Sequence, residues 1–337
     1  MKVQINTQKL TTKTSSYSGF FPPSPLKAVH PRALHFPKKI IRSTHQVHKV
    51  TQAILALCEP YMLGYLYKTE SFQNLEQKIR HFVKNGERIE FFLIGFPFKS
   101  NAKDQTTSPL PDMAERSAFV YLNKLLTRIG QTYYEGARLT LICSGYATAD
   151  VLGIQGQHVA DYERALCQIA SDIPTMRILT SHHLNNGRGS KENLRLMIDQ
   201  MSVCEKAFEK ALNNPEILKS YAAALDHKKG QHLIEHYGLE TMIKKAITQN
   251  LRFETYIKTH ITPKNHSIFL SSYDENTAEK VAIKLTENAS VMPWQGFLMV
   301  DHDGASSIRP TRDVDLEAFA LTSEAINGVW CPYYTAK

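Results

Sequence analysis

The 337-residue chain contains no apolar run long enough to cross a bilayer; the longest candidate, around Glu90–Phe98, has the length of one buried strand. Its start lacks the apolar centre of a secretory signal, and Pro22, Pro23, Pro25, Pro31 and Pro37 interrupt any amphipathic transit helix. Cysteine is sparse: Cys58, Cys143, Cys167, Cys204 and Cys331 lie far apart, with neither metal-ligand spacing nor the density of a disulfide scaffold. These absences argue for a cytoplasmic protein with reduced thiols and no bound metal. Cys143 ends a strand-like run, so packing explains it better than nucleophilic chemistry.

Acidic residues are also missing from residues 1–58, which carry nine Lys and Arg and no Asp or Glu. The whole chain has a formal charge of +8, so everything after residue 58 sums to about −1. The basic excess therefore belongs to a leader, and no recognition helix accompanies it, which argues against a nucleic-acid or membrane partner.

What is present is an alternation of helical and strand-like patterns. Thr44 is placed to cap a helix reaching Tyr67, and a second helix, Ser71–Lys84, stops at Gly86. Arg88–Gly95 reads as a buried strand, Asp112–Tyr134 as a strong amphipathic helix, Ala137–Ile142 as a second strand, Gln157–Ser171 as a helix and Met176–Thr180 as a third strand. Strand, helix, strand, helix, strand predicts an α/β fold: a Rossmann-like, mainly parallel sheet with helices on both faces. Lys191–Asn213, Pro215–Asp226 and Glu240–Gln249 read as helices of an insert or cap. Ser267–Ser272, Lys280–Leu285 and Gly296–Asp301 read as strands that complete the sheet or form a second small one. The expected organisation is a basic, Pro-containing arm over 1–43, an α/β core over 44–185, the helical insert over 186–260 and the terminal strands over 261–337.

Ligands of open α/β sheets bind beyond the carboxyl ends of the strands, which directs attention to two loops. The first runs Gly95-Phe-Pro-Phe-Lys-Ser-Asn101 and on to Leu110-Pro-Asp-Met-Ala-Glu115; the second runs Cys143-Ser-Gly-Tyr-Ala-Thr-Ala-Asp150. Taken singly their residues have ordinary explanations. Asp112 with Glu115 fits a capping box, Lys99 a solvated lysine, Asp150 a helix cap, and Asn185–Ser190 a turn rather than a phosphate loop. His182-His183 has no third ligand at a telling spacing.

Taken together, GFPFKSN, the spaced LPDxxE, and GARLTL followed by Asp150 and LGI resemble the isocyanide (isonitrile) synthase family of pyoverdine/dityrosine biosynthesis proteins. The specific match spans Glu90–Ile154, with weaker similarity from Met242–Asn250 to Met292-Pro-Trp-Gln-Gly296. The resemblance implies conversion of the amino group of tyrosine, tryptophan or a related amino acid to an isocyanide, with ribulose 5-phosphate as carbon donor. It implies no cofactor, and an iron- and oxoglutarate-dependent oxygenase acting downstream. Carried over by position, Asp112, Glu115 and Asp150 would handle the amine and proton transfer. Lys99, Ser100, Lys244, Lys245 and Arg252 would grip the sugar phosphate, and Phe98, Ser144, Tyr273 and Trp294 would line the site.

Three segments depart from the family pattern. Cys143-Ser144-Gly145 stands for Ser-Asp-Gly, Leu270-Ser-Ser-Tyr273 for a Ser-Ile-His element, and Pro293-Trp294-Gln295 for Pro-Trp-His. A carboxylate and two imidazoles are thereby replaced by groups that hydrogen-bond but are poor bases near neutral pH. The alternatives implied are an enzyme acting on another amine or sugar phosphate, or a ligand-binding member without catalysis.

Overall fold

The structure is a computed structural model that describes residues 43–64, 69–99, 106, 108–185, 191–262, 266–273 and 279–337. The basic arm up to residue 42, and Ser100, lie outside the described residues. The first half alternates α1 (Thr44–Cys58), α2 (Glu70–Asn85), β1 (Ile89–Gly95), α3 (Met113–Thr132), β2 (Ala137–Cys143), α4 (Gly145–Thr148), α5 (Gly156–Ile169) and β3 (Met176–Leu179). The helical stretch holds α6 (Ser181–Asn185), α7 (Lys191–Asp199), α8 (Glu205–Leu212), α9 (Pro215–Ala224), α10 (Lys228–Tyr237) and α11 (Leu239–His260). The chain then enters β4 (Ile268–Ser271), β5 (Lys280–Ala282), β6 (Phe297–Val300), β7 (Ser306–Arg309), β8 (Phe319–Ile326) and β9 (Val329–Ala336).

The first sheet has the order β3-β2-β1-β4-β5, and every pairing in it is parallel. The chain winds outward from β1 to β3, then returns to set β4 on the other side of β1. The winding reverses between β1 and β4, and a crevice opens there beyond the carboxyl ends. Alternation along β1 divides the core between the two faces. Ile89, Phe91 and Leu93 pack with apolar residues of α1, α2, α3 and α5. Phe92 joins Ile142, Leu179 and Phe269 against α7 and α11. Both faces are thus covered by helices, as parallel sheets require.

Local signals explain most boundaries. Gly86 adopts the left-handed conformation (φ 65°) that closes α2, while α1 is capped by Ser43 rather than Thr44. Helix α1 stops well short of Tyr67, because Pro60 follows in a tight 3-10 turn. The predicted helix over 191–213 breaks between Asp199 and Glu205, α10 is additional, and α11 is more than twice as long as its predicted segment.

β4 and β5 extend the first sheet, and β6 enters a second, mixed sheet of order β7-β6-β9-β8. The β8–β9 hairpin is absent from the sequence reading although Asn327-Gly328 signals it. Both residues take positive φ (50° and 84°), the geometry that a two-residue hairpin turn demands.

Candidate active site

The crevice at the switch point has two lobes that share Ile94, Tyr221, Asn250, Ser272 and Tyr273. Their volumes are about 60 and about 70 Å³. The larger lobe is walled by the β1 loop (Gly95, Pro97, Phe98), by Ser144 after β2, and by Trp294 and Gln295 ahead of β6. Helix α9 closes it with Ser220 and Ala224. This wall is aromatic and neutral: among its described residues none is charged. Two of its polar groups converge, since the Tyr273 hydroxyl and the Gln295 amide both donate to Ser220 Oγ at 2.9 Å.

The two loops of this wall are locked to each other at Gly145. A Cβ there would lie 1.9 Å from the Pro97 carbonyl oxygen and 2.9 Å from Val159 Cγ1, so only glycine lets the backbones cross this closely. One residue earlier, the Ser144 amide donates to Gly95 O at 3.1 Å. Phe96, held at a positive φ of 49°, turns its ring into the core against Phe119 and Trp294.

Behind the wall lies a buried ionic knot. Lys99, Asp112 and Glu115 are each 0 % exposed. The Lys99 ammonium lies 2.9 Å from Asp112 Oδ2 and donates to Glu115 Oε2 and to Pro293 O, both at 2.8 Å. Glu115 Oε2 also accepts from the Asp112 amide at 3.0 Å, and Asp112 Oδ1 accepts from the Ala114 amide at 2.7 Å, which forms the capping box of α3. The second Glu115 oxygen accepts from the buried Tyr162 hydroxyl of α5 at 3.0 Å. One lysine therefore ties the β1 loop, the start of α3 and the lead-in to β6 together, with α5 attached through Glu115.

The charges in the knot do not balance. Burial lowers the Lys99 pKa, but Asp112 and Glu115 outweigh it and hold the ammonium above its usual range. Asp112 is pushed well above the ordinary carboxylate value by burial, against the attraction of Lys99 and with the repulsion of Glu115. Two carboxylates facing one ammonium in a dry site favour keeping one proton. Close by, burial together with these carboxylates raises the Cys331 thiol to about 12. Cys143 is likewise pushed well up by burial and by Glu163, so it packs as a neutral thiol.

Comparison with known proteins shows which chains this one is similar to. The family model described as "Pyoverdine/dityrosine biosynthesis protein" matches residues 79–236, which contain both motif loops and the helices up to α10. The chain is 24 % identical over 320 residues to the isocyanide synthase xanB of Aspergillus fumigatus, covering 84 % of this chain and 41 % of that one. It is 30 % identical over 193 residues to the L-tyrosine isonitrile synthase of Pseudomonas aeruginosa, covering 55 % of this chain and 52 % of that one. It thus spans between two fifths and about half of the length of these relatives. The crystal structure of PvcA from Pseudomonas aeruginosa superposes with a TM-score of 0.70 at 21 % identity, over 86 % of this chain and all of that one. That likeness establishes the shared fold. Over residues 79–236, just under half of its length, the chain is similar to the pyoverdine/dityrosine biosynthesis family.

Among the positions that family resemblance singled out, Phe98, Ser144, Tyr273 and Trp294 meet on the walls of the crevice. Lys99, Asp112 and Glu115 meet one another instead, one layer behind. Lys99, expected as a solvated side chain or a phosphate ligand, is enclosed by carboxylates and so presents no free charge to an anion. Asp150 does not cap a helix; it is exposed and paired with Arg195. Lys244 pairs with Glu240 on an exposed face of α11, and Arg252 lies 4.0 Å from Asp199. Lys245 lies over the Tyr237 ring. None of these four borders the described walls. His183 bonds the Thr180 hydroxyl at a helix start, and no group of metal-binding side chains occurs among the described residues.

All three departures from the family pattern border the same crevice, as Ser144, Tyr273 and Gln295. Ser220, Asn250, Glu254, Lys280 and Tyr162 were not anticipated. They sit singly on helices or at a strand start, without motif spacing. Only the turn of α11 between Asn250 and Glu254, polar on a face that is otherwise buried, could have marked one pair of them.

Proposed function

We propose that this protein is an isonitrile synthase. It converts the amino group of tyrosine, tryptophan or a related amino acid to an isocyanide, with ribulose 5-phosphate supplying the carbon. The observation that carries the reading is the crevice itself: the GFPF and PWQ segments build an aromatic, uncharged wall at the topological switch point. A phenol or indole ring suits that wall, and relatives of the chain bear the names of isocyanide and tyrosine isonitrile synthases.

In this reading Phe98, Ser144, Tyr273 and Trp294 touch substrate. Lys99, Asp112 and Glu115 act as positioning residues that fix Pro97–Phe98 and Pro293–Trp294. Ser100, next along the same loop, is proposed for the sugar hydroxyls. Asp150, Lys244 and Arg252 take no part, because their pairings lie away from the walls. The isocyanide would be consumed by a separate iron- and oxoglutarate-dependent oxygenase.

One observation favours a second reading, an altered reaction of the same class. The three replaced titratable positions border one crevice, and its described walls hold a single carboxylate, Glu254. Incubation of the purified chain with isotope-labelled ribulose 5-phosphate and an amino-acid panel, followed by mass spectrometry, separates the two. Isonitrile synthesis requires a product in which two amine hydrogens are replaced by one labelled carbon. Labelled products of any other composition would favour the altered reaction, and no labelled product at all would contradict both.

A further inference from the structure

The smaller lobe of the crevice holds an ion pair that neither the motifs nor the aromatic wall accounts for. Lys280, at the start of β5, donates to Glu254 of α11 at 2.7 Å, and the two side chains are 15 % and 13 % exposed. Both border the cavity, together with Asn250 one turn earlier on α11 and Ser271 and Ser272 at the end of β4. An ion pair serving only to fasten α11 to β5 has no need to face a cavity. Facing one, it offers a carboxylate and an ammonium side by side, with neutral hydrogen-bonding groups around them.

We infer that Glu254 and Lys280 form a clamp for the ammonium and carboxylate of an α-amino acid. The inference rests on the proposed function and assigns that substrate's charged end to this lobe. Inserted head to tail, the zwitterion gives Glu254 an ammonium partner and Lys280 a carboxylate partner, so neither partly buried charge is left alone. Charge balance selects this ligand over a phosphate. The described lining of the lobe sums to zero, which suits a neutral zwitterion, whereas a phosphate needs an excess of cations that Glu254 cancels. The lobes adjoin through Tyr221 and Tyr273, so an amino acid held by the clamp extends its ring toward Phe98 and Trp294.

Three ligands that differ only in their charged ends test the clamp: L-tyrosine, tyramine, which lacks the carboxylate, and 3-(4-hydroxyphenyl)propionate, which lacks the ammonium. Calorimetric titration of the full chain, repeated with the tryptophan series, reads the affinities. Lys280→Met should weaken the amino acid and the acid by roughly 10-fold or more and spare the amine. Glu254→Gln should weaken the amino acid and the amine by a similar factor and spare the acid. Should a single variant fold poorly, the double variant Glu254→Gln/Lys280→Met leaves no lone charge and should bind all three ligands with one weak affinity. Selectivity unchanged in the variants, or all three ligands weakened in parallel by either single variant, overturns the clamp while the proposed function stands. A wild-type chain that binds no member of either series overturns both.

Discussion

Lys99→Met should be among the most destabilising single substitutions in this protein, costing on the order of 3–5 kcal/mol of unfolding free energy. The lysine is wholly buried, and its removal leaves Asp112 and Glu115 facing each other without a cation. It also leaves the Pro293 carbonyl without its donor. Lys99→Met/Asp112→Asn/Glu115→Gln should recover most of the loss, since amide side chains keep the helix-capping acceptors and remove the charges.

The deficit should also depend on pH, and its sign follows from Asp112. That carboxyl is raised in the folded state above the unfolded value near 3.8. The stability it contributes when protonated is complete below that value and is lost as the pH rises through the folded pKa. Without Lys99 to oppose it, burial raises the folded value further. The gap between wild type and Lys99→Met should therefore widen from pH 3 to pH 8 in denaturant titrations. A gap that is small, or constant with pH, would show that the knot is solvated.

Gly145→Ala should be nearly as damaging, at the upper end of the ~1–3 kcal/mol cost of overpacking, because the contact it creates cannot be relieved by a rotamer change. The added carbon meets a backbone carbonyl at 1.9 Å, so the β1 loop or α4 must move. Pro97, Phe98 and Ser144 border the crevice and would move with them, so turnover should be lost even in the fraction that remains folded. Gly130→Ala on α3 is the control: nothing lies within 4 Å of its added carbon. In a helix that change should stabilise by up to ~1 kcal/mol. Similar thermal shifts for the two variants would contradict the close crossing of the loops.

The parallel sheet was legible in the sequence because buried parallel strands are short apolar runs, and β1, β2 and β3 fall between helices of clear periodicity. The loops that build the larger lobe were legible for the same reason: they follow strand ends. Less legible was which of their residues faces the cavity. Lys99, Asp112 and Glu115 sit in the motif that carries the family resemblance, and sequence alone could not show that lysine and carboxylates turn inward to satisfy one another. The capping-box reading of Asp112 and Glu115 was correct as local geometry, yet incomplete, because the same oxygens also hold Lys99 and Tyr162. Glu254 and Lys280 were invisible because 26 positions separate them, and pairing across that distance is a product of topology. The β8–β9 hairpin was missed despite its Asn-Gly turn, since its strands are half exposed and mix polar with apolar residues on both faces.

The central claim, that the crevice between β1 and β4 is where an amino acid becomes an isonitrile, is tested most directly by filling it. Ala224 of α9 borders the larger lobe, and the ring added by Ala224→Phe would compete for the space proposed for the substrate's own ring. Wild type and variant would be compared with labelled ribulose 5-phosphate and the amino acid that wild type turns over best, with thermal unfolding as the control for folding. The account predicts labelled isonitrile from wild type and at least a 10-fold lower rate from an Ala224→Phe chain of similar stability, a loss of ~1.4 kcal/mol or more in transition-state binding. Undiminished turnover in the variant would place the chemistry elsewhere in the molecule.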